Sequence, residues 1–285
     1  MRIKSLYESI LDDFDAIEAN SSPISEIKKF ISDNYKYGGE LKISKKPNKK
    51  GYYEVSIRGD VSANREIQHL TNSMFVWKQV KGGFSCERNN LTSLEGAPEK
   101  VSGDFDCHGC ENLTSLKGAP KEVSGRFNCE QCNNLTSLEG APEKVSGNFD
   151  CHSCEKLTSL KGAPKEVGGR FHCTQCTSLI SLEGAPIEVG QEFSCAGCHK
   201  LNSLEGAPKN VGADFNCSWC HSLISLKGAP KNVEMNFNCI LCHSLISLEG
   251  APKNVGGNWY CRDCAGKFTK EDVKQVSNVG VEIYV

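Results

Sequence analysis

The chain contains a 22-residue unit that repeats without a gap, and this period constrains the fold more than any other feature. The consensus of the units reads Phe-x-Cys-x-x-Cys-x-x-Leu-x-Ser-Leu-x-Gly-Ala-Pro-x-x-Val-x-Gly-x. Full units begin at Phe105, Phe127, Phe149, Phe171, Phe193, Phe215 and Phe237. A shortened unit begins at Phe84, and a final half-unit begins at Trp259. A fixed period of roughly 20–50 residues is the signature of a solenoid, in which each repeat forms one coil.

The Phe-x-Cys triplet of each unit predicts a short strand whose alternate side chains face the core. In one unit, Phe105 and Cys107 would point inward and Asp106 outward. Stacked triplets would form a parallel sheet with rungs about 4.8 Å apart. Gly-Ala-Pro would turn the chain across the opposite wall, where proline cannot donate to a sheet ladder. We therefore predict a mainly β repeat solenoid with short parallel strands and an irregular back wall.

The residue before each Gly-Ala-Pro alternates in charge through the first coils. The series runs Glu95, Lys117, Glu139 and Lys161. Opposite charges on neighbouring rungs attract each other, so this alternation is expected to fix the register of nearly identical coils.

The repeat resembles the short bacterial type of leucine-rich repeat, in which Leu-x-x-Leu-Pro-x-Leu-Pro is followed by Leu-x-x-Leu-x-Val-x-x-Asn. Here LTSLEGAPEKVSGDFDCHGC fills the same slots, over about residues 84–264. By this resemblance Phe105 and Cys107 take strand positions, and Cys110 takes the slot of the family's inward Asn or Cys ladder. The chain departs from the family in its 22-residue spacing and in placing Phe, Cys, Ala and Val at several leucine slots. Tandem LTSLEGAP-type units behind a SLYESIL start are also similar to uncharacterised repeat proteins of phages and gut metagenomes.

Both ends of the chain are predicted to be caps, because the terminal coils of a solenoid expose apolar faces. Ser22-Pro23 followed by apolar residues on one face predicts a helix over 23–34. Thr269, with Asp272 three residues later, predicts a second short helix followed by an edge strand over 279–285. The predicted segments are an amphipathic segment at 1–20, an N-terminal cap with a degenerate first coil at 21–83, the solenoid at 84–264 and a C-terminal cap at 265–285. The amphipathic segment either packs on the cap or docks in a partner's groove.

Charge and hydropathy exclude several classes of protein. A net charge of -2 gives no basic footprint for nucleic acid. No apolar run of about 18 residues is present, so no membrane span is expected. The acidic start lacks the uninterrupted apolar stretch of a secretory signal. We expect a cytoplasmic protein, in a host cytoplasm or a virion if it is phage-derived, whose 17 cysteines stay reduced.

Eight C-x-x-C pairs occur, from Cys107 and Cys110 to Cys261 and Cys264. This spacing alone is typical of zinc sites. The pairs recur in every coil within an apolar pattern, however, and free cysteine there behaves as a small buried hydrophobe. We predict a structural cysteine ladder with no metal and no cofactor, and the alternative is a multi-zinc protein. No thiol pair, phosphate loop or acid set stands apart from the repeats, so we expect no enzyme.

A partner is expected to contact the positions that differ between coils, which are the outward strand residue and the two residues inside each C-x-x-C. The strand row is mostly small and polar, whereas the C-x-x-C residues become apolar in the later coils. Exposed aromatic and aliphatic residues on adjacent rungs are typical of an interaction hot spot. The predicted partner-binding residues are Trp219, Ile240, Leu241, Tyr260, His172, Asn216 and Asn238.

The sequence therefore predicts a protein-protein interaction scaffold, and it leaves alternatives open. The apolar residues could instead pack under the C-terminal cap. The chain could also be a structural, virion-associated protein that assembles with itself. His199, His221 and His243 share one coil position and are expected to form a solvated surface column.

Overall fold

The computed structural model describes residues 22–285, so the predicted amphipathic segment at 1–20 lies outside the described residues. Helix α1 (Pro23–Asn34) opens this part of the chain and helix α2 (Lys270–Val276) lies near its end. Five longer strands follow α1: β1 (Tyr35–Tyr37), β2 (Glu40–Ile43), β3 (Tyr53–Arg58), β4 (Val61–Ala63) and β5 (Phe75–Val80). All later strands have two residues each and form two parallel sheets.

The first sheet, called the Phe sheet, stacks the strands that begin each repeat. Its strand order is β1-β4-β6-β8-β10-β12-β14-β16-β18-β20-β22-β24. The two-residue strands are β6 (Phe84–Ser85), β8 (Phe105–Asp106), β10 (Phe127–Asn128), β12 (Phe149–Asp150), β14 (Phe171–His172), β16 (Phe193–Ser194), β18 (Phe215–Asn216), β20 (Phe237–Asn238), β22 (Trp259–Tyr260) and β24 (Ile283–Tyr284). The predicted repeat solenoid of short parallel strands is confirmed.

A second sheet, called the Val sheet, lies at the valine that follows each Gly-Ala-Pro. Its strand order is β2-β3-β5-β7-β9-β11-β13-β15-β17-β19-β21-β23. Its two-residue strands are β7 (Lys100–Val101), β9 (Glu122–Val123), β11 (Lys144–Val145), β13 (Glu166–Val167), β15 (Glu188–Val189), β17 (Asn210–Val211), β19 (Asn232–Val233), β21 (Asn254–Val255) and β23 (Asn278–Val279). The Gly-Ala-Pro turn itself lies outside the strands, as expected. Proline lacks a backbone N–H only at its own position, so the valine three residues later can still pair with the valines of neighbouring coils.

Each coil buries the same side chains in the same register. Phe149 pairs with Phe127 on one side and with Phe171 on the other. The ring centroids of both pairs are 5.2 Å apart, and the rings are nearly parallel. The two cysteines, two leucines, proline and valine of each full coil are buried with the phenylalanine. The core is therefore a set of columns, one for each inward position of the repeat.

Polar columns on the outside follow the same register. Lys117 contacts Glu95 at 3.1 Å and Lys161 contacts Glu139 at 3.5 Å, so the predicted stacking of opposite charges is confirmed. On the Val sheet the later coils replace charged pairs with a ladder of asparagine amides. Their side chains bond over 3.4, 2.8 and 3.2 Å through Asn210, Asn232, Asn254 and Asn278. Each exposed pair adds only a few tenths of a kcal/mol, so these columns mainly select register.

Caps close both ends of the columns. Ser22 caps α1, which buries Ile27 and Ile31, and Trp77 packs edge-on against Phe84. At the other end Thr269 and Asp272 form the expected capping box of α2. The predicted edge strand over 279–285 is two strands, β23 and β24, in different sheets. This split follows the repeat, because Val279 and Ile283 keep its Val-to-Phe spacing of four residues.

The part of the chain covering 22–285 has no helix that is long and apolar enough to cross a membrane.

One turn of the repeat depends on glycine, and this dependence can be tested. Gly140 has a φ of +91°, and a Cβ there would lie 2.5 Å from the Cα of Lys117 in the preceding coil. We expect Gly140→Ala to lower the free energy of unfolding by more than about 1–2 kcal/mol, because the clash adds to the left-handed penalty. Gly38→Ala is the matched control, since a Cβ at Gly38 meets nothing within 4 Å. Chemical denaturation measures both variants, and equal effects would contradict the packing described here.

Candidate functional site

The thiols of the C-x-x-C pairs donate hydrogen bonds to backbone carbonyls of neighbouring coils. The first thiol of a pair points to the next coil, as Cys129 Sγ does to the carbonyl of Asp150 at 3.3 Å. The second points back, as Cys132 Sγ does to the carbonyl of Cys107 at 3.2 Å. A pair in which both thiols donate, such as Cys129 and Cys132, therefore links three successive coils through its own side chains.

Burial favours the protonated form of several thiols in the central coils. All 17 cysteines are free and buried. Burial raises the pKa of Cys129, Cys151 and Cys173 well above the ordinary thiol value. A protonated thiol can donate a hydrogen bond, whereas a zinc ligand must be a thiolate. The geometry thus supports the structural-ladder interpretation of the cysteines.

The two residues inside each C-x-x-C form a tight turn on the surface. The second of them has a positive φ, such as 55° at Gln131 and 62° at Trp219. Where the outward strand residue is Asn or Asp, its side chain often supports this turn. Asn216 Oδ1 accepts a bond from the amide of Ser218, and Asn238 Oδ1 accepts one from the amide of Ile240, both at 3.0 Å. Asn216 and Asn238 are thus half-buried residues whose carboxamide oxygens hold the turns that carry the apolar residues.

Trp219 occupies the tip of its turn, and about half of its side chain is exposed. Its amide donates to the carbonyl of Ile240 at 2.9 Å, so Trp219, Ile240 and Leu241 lie on adjoining turns. Ile240 and Leu241 are half-buried. The structure therefore brings these three predicted residues together on one edge of the solenoid.

A notch of about 400 Å³ adjoins Trp219. It exists because the preceding coil has Ala196 and Gly197 inside its C-x-x-C, and these small residues leave the space above them open. Gln175 and Thr174 line the opposite side of the notch. An apolar indole wall and polar groups thus face each other across this space.

The predicted histidine column lies beside this notch, with His199 and His243 exposed and the three rings stacked in register. The rings of His199 and His221 are 4.8 Å apart, and those of His221 and His243 are 4.6 Å apart. Nδ1 of His199 donates to the carbonyl of Trp219, and Nδ1 of His221 donates to that of Leu241, both at 3.1 Å. The column therefore supports the backbone of the apolar turns.

The other two predicted residues have different surroundings. Tyr260 stacks on Tyr284 of the last strand, with ring centroids 4.9 Å apart, and Arg262 lies over the Tyr284 ring. Packing against the C-terminal cap, the alternative considered from the sequence, therefore describes Tyr260. His172 lies on β14, within a charged network on the Phe sheet and two coils before the strand that precedes Trp219.

This network has His172 at its centre. His172 Nε2 lies 3.3 Å from Glu192, its Nδ1 lies 3.7 Å from Asp150, and Arg170 also faces Glu192. The Glu192 carboxylate raises the pKa of His172, and the imidazole lowers the pKa of Glu192. The carboxylates around His172 thus favour its protonated form, and its side chain is engaged within the fold.

Metal-ligating atoms converge at a place that the sequence interpretation missed. In the described region one trio, Glu87, Asp106 and His108, has ligand atoms that all lie within 4.8 Å of one another. These residues come from two adjacent coils on the outer surface of the Phe sheet. The sequence does contain a signal for this trio. Alignment of the shortened first coil with the next one places Glu87 and His108 at the same repeat position on neighbouring rungs.

Thiol reactivity tests the ladder. Cys261 and Cys264 in the last coil are 3% and 8% exposed, and hydrogen bonds with Cys239 lower their pKa. We expect alkylation of the native protein to modify these two thiols first, because reactivity needs both access and thiolate character. After unfolding, all 17 should react. Mass spectrometry of the alkylated peptides measures the order, and early modification of central coils would contradict the structure.

The charged network predicts a pH dependence of stability. Because folding raises the pKa of His172, protonation of His172 stabilises the fold. This stabilisation is fully present below the ordinary pKa of 6.5 and is lost as the pH rises through the pKa of the folded state. Because folding lowers the pKa of Glu192, ionisation of Glu192 also stabilises the fold. This stabilisation is present above the ordinary pKa of 4.5 and is lost as the pH falls through the lower pKa of the folded state. We expect His172→Gln and Glu192→Gln each to destabilise the protein more at pH 6 than at pH 8.5. Urea denaturation at both pH values measures this, and a pH-independent difference would refute the assigned pair.

Comparison with known proteins gives no match. No protein-family model, no curated protein and no solved structure is significantly similar to this chain, so the resemblance to leucine-rich repeats and to phage proteins has no support from these comparisons.

Proposed function

We propose that this chain is a non-enzymatic scaffold that binds a protein partner through the exposed turns of its later coils. The observation that carries the proposal is the half-exposed Trp219 beside a notch of about 400 Å³. Tryptophan is enriched at the centres of protein interfaces because it contributes a large, rigid contact area. A fixed stack of coils presents this area without a further loss of backbone entropy on binding.

The lining of the notch indicates the chemistry of the partner segment. Trp219 offers an apolar wall, and Gln175 and Thr174 offer hydrogen-bonding groups opposite it. An apolar partner side chain would bury itself against the indole while its backbone bonds the polar side. Leu241 and Ile240 extend the apolar contact toward the next coil. Asn216 and Asn238 act by holding the turns, and His172 contributes to the polar strand face.

A structural, self-assembling role is the second candidate, and one surface favours it. Ile180, Ile224 and Ile246 share one coil position and are 52%, 56% and 68% exposed. Asn202 interrupts this column between the first two isoleucines. A second copy of the chain could cover the column, in which case Ile246→Asp would convert an assembly to single chains in analytical ultracentrifugation.

Two variants test the partner proposal. The wild-type chain serves as bait for selecting binding peptides, and Trp219→Asp and Leu241→Asp are compared with it. We expect each variant to weaken binding of the selected peptides, with Trp219→Asp weakening it by about tenfold or more, as hot-spot substitutions do. Trp77 and Trp259 are buried, so binding should also shift the emission of the exposed Trp219.

Ile187→Asp is the matched control, because Ile187 is 56% exposed and lies just before the Val sheet. It should leave affinity unchanged. Circular dichroism and the melting temperature verify that all three variants fold. If folded Trp219→Asp binds every selected peptide as tightly as the wild type, the proposed site is wrong.

A further inference from the structure

The outer surface of the Phe sheet carries the same trio of side chains twice. Glu, Asp and His occupy equivalent repeat positions in the two copies, which lie two coils apart. The first copy is Glu87, Asp106 and His108, and the second is Glu130, Asp150 and His152. In each copy the glutamate comes from one coil, and the aspartate and histidine come from the next. The two copies differ in what lies between the carboxylates.

In the second copy, the guanidinium group of Arg126 lies between the two carboxylates. Arg126 Nη2 lies 2.8 Å from Asp150 Oδ2 and 3.2 Å from Glu130 Oε1, and Arg126 Nε lies 3.1 Å from the same aspartate oxygen. The Asp150 side chain is only 9% exposed. Its charge is therefore buried against the guanidinium, as buried carboxylates require. His152 turns away and contacts Thr174 Oγ1 instead.

In the first copy, glycine replaces the arginine. The residue before Phe84, which corresponds to Arg126 before Phe127, is Gly83. The space over this glycine is part of a groove of about 690 Å³ that Asp104 and Asp106 also line. Arg65 approaches Glu87 only at 4.0 Å and on its other oxygen, Oε1. Asp106 thus lines an open groove, whereas its counterpart Asp150 faces the guanidinium of Arg126.

With the arginine absent, the histidine completes the cluster. His108 Nδ1 lies 2.9 Å from Asp106 Oδ1 and 3.6 Å from Glu87 Oε2. Ligands about 2.0–2.2 Å from a zinc ion in tetrahedral geometry are separated by roughly 3.3–3.6 Å, so small side-chain adjustments fit these atoms to one ion. Asp106 Oδ1 also accepts the amide of His108 at 3.0 Å, which orients the two residues toward each other.

We propose that Glu87, Asp106 and His108 bind a divalent transition-metal ion on the outer surface of the Phe sheet, with its remaining coordination position open to solvent. One imidazole nitrogen and two carboxylate oxygens form a donor set that suits Zn²⁺ and its neighbours rather than Mg²⁺ or Ca²⁺, which take oxygen ligands. The ion replaces the positive charge that Arg126 supplies in the second copy. This site is independent of the cysteine ladder, whose thiols bond to backbone carbonyls, and of the apolar turns at Trp219.

Calorimetric titration with Zn²⁺ under a metal-free phosphine reductant tests the site on the whole chain. We expect one ion per chain, and we expect Glu87→Gln and His108→Ala each to weaken binding by roughly tenfold or more, as disturbing a metal site does. Glu130→Gln is the matched control, because it makes the same change in the copy that Arg126 fills. It should leave both stoichiometry and affinity unchanged.

Exchanging the residue between the carboxylates gives a reciprocal test. Gly83→Arg should abolish zinc binding by filling the first copy, and the new Cβ requires only a small adjustment, since it would lie 3.2 Å from the carbonyl of Asp104. Arg126→Gly should open the second copy and raise the stoichiometry to two ions. Circular dichroism verifies folding. The proposal is overturned if wild-type protein binds no ion, if binding persists unchanged in Glu87→Gln and His108→Ala, or if Co²⁺ substitution produces the charge-transfer absorption of thiolate ligands.

Discussion

In-register stacking of equal side chains on successive coils is the constraint on which the rest of this structure depends. Phe149 has a phenylalanine 5.2 Å above it and another 5.2 Å below it. The same holds for the cysteine, leucine and valine columns, because every coil pairs with its neighbours at the same positions in two sheets. A change of size at one inward position would therefore disturb two interfaces. This explains why inward positions are nearly uniform while outward ones differ between coils.

Cysteine fits this constraint for reasons of both size and hydrogen bonding. The C-x-x-C turn buries the carbonyl of the first cysteine, and a buried carbonyl without a partner is costly. A thiol from the next coil supplies that partner, as Cys154 does for Cys129 at 3.2 Å. Alanine would fill less space and donate nothing, and serine would be costly to bury without full hydrogen bonding. The C-x-x-C spacing, which normally indicates a zinc site, thus has a structural explanation in this chain. The buried carbonyls of each turn need small, weakly polar hydrogen-bond donors, and cysteine thiols supply them.

The sequence predicts the features that follow from the repeat period. It does not predict the features that depend on which side chains of different coils come into contact. The solenoid and both terminal helices follow from spacing and capping residues such as Ser22 and Thr269. The Val sheet was missed because its two-residue strands carry at most one buried side chain each and, in the repeats, follow a proline that indicates an irregular wall, whereas Phe-x-Cys shows two inward positions. The exposure of Trp219 could be inferred from its position between two cysteines, but the notch beside it depends on Ala196 and Gly197 in another coil. The support that Asn216 gives its turn depends on side-chain orientation, which composition does not reveal.

The two halves of the solenoid carry different surface chemistry on one framework. The earlier coils use ion pairs, such as Lys100 with Glu122 at 2.9 Å, and the Val-sheet positions of the later coils carry amides. Stacked repeats interact mainly with their nearest neighbours, so a polar cluster near Asp106 and an apolar turn near Trp219 are energetically almost independent. Near-identical coils supply a common framework, and a different outward residue, as at Arg126 and Gly83, changes which charged side chains meet on it.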